Sequence, residues 1–180
     1  MTRVACQLIF CSPDIILRQS VVEIDENQFI NDIFSLETQR VESAKTLFYD
    51  GIISMEPISL KQQIPLTEIQ NRSTNYHYID LSTSLLQDQI SPSDKPLILD
   101  FGTTNPSEIN CLLALYYPLL KSFTIFDIIA ATVYYPAKLM GIEYIIKKGI
   151  QSKLILWKDV DLVNKKQTEI TSIVEIETCI

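Results

Sequence analysis

His77 is the one histidine of the chain, and its four cysteines, Cys6, Cys11, Cys111 and Cys179, include no C-x-x-C pair. A zinc knuckle therefore has no ligand set here, and a lone imidazole between Tyr76 and Tyr78 builds no catalytic site by itself. Asp100 and Glu108 form a candidate carboxylate pair for acid–base work. Glu108 equally suits the first turn of a helix, where negative charge faces the positive end of the dipole. Cys111 or Ser107 near that helix start is a candidate nucleophile, since the dipole lowers a thiol pKa, but neither has a histidine signal beside it. Lys147 and Lys148 with Lys165 and Lys166 are candidates for an anion spot, and a solvated face is the plainer reading. Asp100, Thr103, Thr104 and Asn105, with His77, are the candidate residues of a small-ligand cleft.

The 180 residues suit one domain, or one domain with an appendage, and a hydrophobic fraction of 47% is ample for a core. Net charge is -7 and the 15 basic residues are dispersed, which argues against nucleic acid and against a polybasic membrane patch. The N-terminal apolar stretch is broken by Gln7 and by Ser12-Pro13-Asp14, too early for a secretory signal. No apolar run reaches the ~18 residues of a membrane span. These features lead us to expect a cytoplasmic protein with reduced, mostly buried thiols.

The elements that must position these residues fall into three groups. Val4–Phe10, Ile15–Ile24 and Gln28–Phe34 read as strands separated by Ser12-Pro13-Asp14 and by a hairpin turn at Asp25-Glu26-Asn27, and Val41–Tyr49 leads into a strand at Gly51. Residues 61–75 are polar and mark a junction. Tyr76–Asp80 reads as a short strand, 82–90 as a short helix, 91–96 as a turn and Leu97–Phe101 as a buried strand. Two helices follow: Pro106–Leu120 behind an Asn105 cap, and Thr124–Met140, stopped by Gly141 and bent or split at Pro136. Strands return over Glu143–Ile146, Lys153–Trp157 and Thr171–Ile176.

Three of these stretches resemble one family. The run Tyr49–Gln63, with Gly51, Pro57 and Leu60, resembles the metal-site entry of the amidohydrolase superfamily, whose glycine-led strand ends in H-x-H, two imidazoles on one side of a strand. An ungapped overlay puts Lys61 and Gln63 on those positions. Phe126–Ile142, with Ala131, Thr132, Pro136, Ala137 and Gly141, resembles the last barrel helix, usually written A-T-x-x-P-A-x-x-L-G. Leu99-Asp100-Phe101-Gly102-Thr103-Thr104-Asn105 resembles the end of the eighth barrel strand, L-G-T-D-S in deaminase-like members, and puts Thr104 where the family has its metal-binding, proton-moving aspartate. The apolar strand Lys153–Trp157 follows, without the Ala-Asp pair that usually precedes it.

The resemblance implies an α+β fold: a composite β-sandwich of residues 1–60 and 142–180, with residues 61–141 as a reduced α/β remnant of a TIM barrel. A full barrel takes about 200 to 250 residues, so most of it is missing. With the family's ligand positions occupied by Lys61, Gln63 and Thr104, the reading expects no catalytic residue, no metal and no cofactor. It expects a catalytically degenerate relative that acts by binding, scaffolding or regulation. One alternative is a metal-dependent hydrolase of non-peptide carbon–nitrogen bonds whose ligands are completed by a partner chain, and another is a small-ligand binding module. Helices once covered by the barrel would need a new cover, so Leu112, Leu115, Tyr116, Leu119 and Tyr134 are candidates for contact with a second copy or another protein through the 106–140 helices.

Overall fold

The computed structural model describes residues 1–36, 46–83, 94–151 and 153–176. Cys179 and most of the helix expected over 82–90 lie outside these residues, as does the start of the turn expected over 91–96. The strands are β1 (Thr2–Ser12), β2 (Ile15–Ile24), β3 (Ile30–Ser35), β4 (Thr46–Met55), β5 (His77–Asp80), β6 (Leu97–Asp100), β7 (Leu154–Asp161) and β8 (Lys166–Glu175). Six of them form one sheet in the order β3-β2-β1-β4-β7-β8, while β5 and β6 pair separately and in parallel. The fold is mixed α+β, and its main sheet draws strands from both ends of the chain.

The first hairpins follow local turn chemistry. Asp25 accepts the N–H groups of Asn27 and Phe29 through Oδ1, both at 2.8 Å, and Gln28 takes the left-handed conformation with φ 64°. That is the turn expected at Asp25-Glu26-Asn27. Four of the five pairings in the main sheet are antiparallel, and that of β1 with β4 is parallel. Its register slips between Cys6 and Leu8, which face Tyr49 and Ile52. The one extra residue on β4 makes a bulge at Asp50-Gly51, with Gly51 at φ +134°. Beyond the bulge β4 turns to β7, pairing Ile52 with Trp157 and Met55 with Leu154.

The helices are α1 (Leu60–Gln63), α2 (Leu66–Arg72), α3 (Pro106–Leu120), α4 (Ile125–Ile129) and α5 (Tyr135–Met140). A π-helical turn, Ala130–Tyr134, joins α4 to α5. Pro136 follows it and has no N–H to give the carbonyl of Thr132 in the helical ladder. Ile58 N–H takes that carbonyl at 2.9 Å and ties the segment after β4 to the helix. The buried Thr132 hydroxyl donates back to the Ile128 and Ile129 carbonyls. The helix expected over 124–140 is thus one run with a wide turn at its middle. It opens with a capping box between Thr124 and Asp127 and closes at Gly141, φ +71°.

The main core lies between the sheet and the α3–α5 segment. Val4, Ile9, Phe10, Val22, Ile53 and Trp157 from the sheet meet Ile109, Leu113, Leu120, Ile125, Ile128 and Ile129 from the helices. Trp157 is fully buried and donates its indole N–H to Ser54 at 2.9 Å. A smaller cluster of Leu60, Ile69, Ile98 and Ala137 holds α1 and α2 against β6 and α5.

Candidate functional site

The polar residues that gather in this fold sit at the C-terminal ends of the parallel strands β5 and β6, which end in register on Asp80 and Asp100. Parallel α/β layers commonly place ligand sites at this edge. Asp100 is fully buried. Its Oδ2 accepts the backbone N–H of Lys61 at 3.0 Å and the Tyr78 hydroxyl at 3.1 Å, and its Oδ1 accepts Gly102 N–H at 2.8 Å. Lys61 is the second residue of α1, so Asp100 satisfies one of the N–H groups that a helix start leaves unpaired. A carboxyl group buried this deeply stays there because three donors converge on it.

Asp80 is the nearer of the two to solvent. Its Oδ2 accepts Lys61 Nζ at 2.7 Å and Thr83 Oγ1 at 2.6 Å, while Oδ1 accepts the Ser82 hydroxyl at 2.6 Å and Ser82 N–H at 3.0 Å. Lys61 Nζ also donates to the Ser82 hydroxyl at 3.1 Å. Partial burial raises the pKa of Asp80, but the hydrogen bonds from Lys61, Ser82 and Thr83 outweigh it and hold the carboxyl down at about 2. The Tyr78 hydroxyl moves the other way: its burial, with the charges of Asp100 and Asp80 beside it, pushes its pKa well above the ordinary value. Gly102 closes the cluster with φ +69°, and a Cβ there would lie 2.6 Å from Ser82 Cβ.

This arrangement corrects the expectation for Lys61 and Gln63. They were expected on one side of a strand, but β4 ends at Met55 and both residues lie on the helical turn α1. Ile58 N–H has by then been taken by Thr132, so the chain no longer follows the sheet. On a helix, residues two apart point in different directions. Lys61 turns inward to Asp80, whereas Gln63 is exposed.

The other candidates separate. Thr103 Oγ1 accepts Asn105 N–H at 3.1 Å and Asn105 Oδ1 accepts Ser107 N–H at 2.9 Å, so both serve the turn and cap that start α3. Thr104 is exposed. His77 opens β5, at the opposite end of the strand from Asp80, with its N–H on the Pro96 carbonyl at 2.9 Å. Cys111, Ser107 and Glu108 lie exposed on α3. Among the described residues no three His, Cys, Asp or Glu side chains stand close enough together to share a metal ion.

The interface candidates are mostly covered from within. Tyr116 is buried, and Leu112, Leu119 and Tyr134 are half-buried against the main core; only Leu115 is well exposed, at 67%. Helix α3 packs against β8. Asn110 joins them: its Nδ2 donates to Ile173 O at 3.0 Å and its Oδ1 accepts Ile173 N–H at 2.6 Å.

Sequence reasoning missed Asp80, Tyr78 and Ser82 as members of the cluster. A signal was present, since Tyr78 and Asp80 are two apart on a strand and share a face. Nothing local, however, marks Lys61 as their partner 19 residues away. Comparison of the chain with protein-family models, with curated proteins and with solved structures finds no match.

Proposed function

We propose that this chain is a non-catalytic binding protein, a degenerate relative of the amidohydrolases in which one old metal-ligand position, Lys61, has become part of a structural clasp while Gln63 and Thr104 stand exposed. Its main sheet, with strands from both chain ends, corresponds on this reading to the composite β-sandwich domain, and β5 and β6 with the helices after them correspond to a remnant of the barrel. The observation that carries the proposal is the ion pair of Lys61 with Asp80 beside the saturated carboxyl of Asp100. A fixed ammonium holds the strand-end carboxylate of Asp80, and it belongs to Lys61, which stands at a position where the resemblance would put a metal-binding histidine. The donors around Asp80 and Asp100 all come from the chain itself, so neither group is poised to activate water. Buried, unpaired Cys6 and Cys11 suit a reducing compartment such as the cytoplasm.

The test is metal content. Purified protein incubated with zinc, manganese or iron(II) and then desalted is expected to retain only substoichiometric metal by elemental mass spectrometry. In parallel, Lys61→Met is expected to lower the melting temperature by about 2–4 °C, the effect of removing a partly screened ion pair of ~1 kcal/mol. One equivalent of metal that disappears in Asp80→Asn would overturn the proposal and favour a hydrolase of non-peptide carbon–nitrogen bonds.

A further inference from the structure

A second region of the molecule has the chemistry of a ligand site and shares no residue with the clasp. Between the β1–β2 hairpin on one side and α4 with the β7–β8 turn on the other lies an open cleft of about 660 Å³, within the usual size range of small-molecule sites. Its apolar lining is Leu8, Ile16, Phe126 and Leu162. Phe126 is held in place by stacking on Phe10, with ring centroids 6.4 Å apart. Two cations, Arg18 and Lys165, and two glutamines, Gln7 and Gln19, complete the described lining.

The chain carries net charge -7, yet no acidic side chain is among the described residues that line the cleft. Neither Arg18 nor Lys165 forms an ion pair with a described residue, whereas the neighbouring Lys166 is spent on the carbonyls of Lys121, Ser122 and Phe123. Among the described residues, Gln19 and Lys165 are also two of four non-glycine residues with left-handed backbone, at φ 44° and φ 56°. Such conformations are costly for residues with a Cβ and often concentrate where a side chain must be presented in a set direction.

We propose that this cleft binds an organic monoanion with an apolar body, of the type of a medium-chain carboxylate. The hydrocarbon would lie on Leu8, Ile16, Phe126 and Leu162, and the acid group would meet Arg18 and Lys165 with the glutamine amides as further donors. The inference deepens the reading of the chain as a binding protein. It nevertheless fails or holds separately, because metal content reports on the clasp and the titration below reports on the cleft.

The probes are decanoate, decanol and decyltrimethylammonium, each titrated into the full chain by calorimetry in low-salt buffer. Decanoate is expected to bind saturably at one site, more tightly than decanol, and decyltrimethylammonium is expected not to bind. Arg18→Gln and Lys165→Gln each remove a solvent-facing charge and should fold normally. Each is expected to weaken decanoate by about three- to tenfold while leaving decanol unchanged. Absence of saturable decanoate binding at millimolar concentration would overturn the proposal, as would equal affinity for decanoate and decanol, or decanoate binding unchanged in the double variant.

Discussion

Replacing Asn110 by alanine should do two things at once, because this side chain closes the outer edge of the main sheet. Strand β8 is the last in the order, and Ile173 faces Trp157 of β7 on its inner side. The N–H and C=O of Ile173 point to the open edge, where Asn110 receives both, at 2.6 Å and 3.0 Å. Each such bond contributes about 1 kcal/mol net, and a buried backbone group left without a partner costs about 1–3 kcal/mol. Ile173 is 1% exposed, so water reaches these groups poorly and about 2 kcal/mol is the expected loss. For a chain of this size that corresponds to a drop of about 4–8 °C in melting temperature. Urea unfolding followed by circular dichroism should show a lower midpoint with an unchanged slope. The exposed edge should also make the variant self-associate with concentration, as uncovered strand edges do, which light scattering would read. Asn110→Asp keeps one acceptor but sets a carboxylate against the Ile173 carbonyl, and should be at least as damaging. If Asn110→Ala unfolds within ~0.5 kcal/mol of the parent and stays monodisperse, the edge-closing role is wrong.

Other perturbations separate local from tertiary causes. Gly51→Ala would place a Cβ 2.1 Å from the Trp157 carbonyl oxygen, while Gly141→Ala has left-handed backbone but nothing within 4 Å of the new atom; the first should cost about 3 kcal/mol or more and the second about 1 kcal/mol, and equal melting temperatures would contradict the bulge assignment. Asp80, lowered from 3.8 to about 2, contributes stability that is fully present above pH 3.8 and is lost as pH falls through about 2; the gap between the parent and Asp80→Asn, about 1 kcal/mol after solvent screening, should stay constant from neutral pH to pH 5 and close on acidification. Burial pushes the Cys6 and Cys11 thiols up to about 11, so peptide mapping after brief alkylation at pH 8 should find Cys111 labelled and both of these untouched.

Several features of the fold could be read along the chain because their causes lie within a few residues. Asn105 and Thr124 start helices by giving their own side chains to nearby N–H groups, Gly141 stops one by taking a left-handed conformation, and Asp25 folds its turn onto itself. What the sequence alone left undetermined is which distant groups meet. The parallel pairing of β1 with β4, the seating of α3 on β8 through a contact 63 residues apart, and the 39-residue span from Lys61 to Asp100 depend on a shared core. The fate of Lys61 shows the difference: its type and place suggested a vanished metal ligand on a strand, but the Ile58–Thr132 bond lifts the chain off the sheet before it arrives. Local chemistry decides where a backbone turns, and only the competition among all buried surfaces decides what each turn finds opposite it.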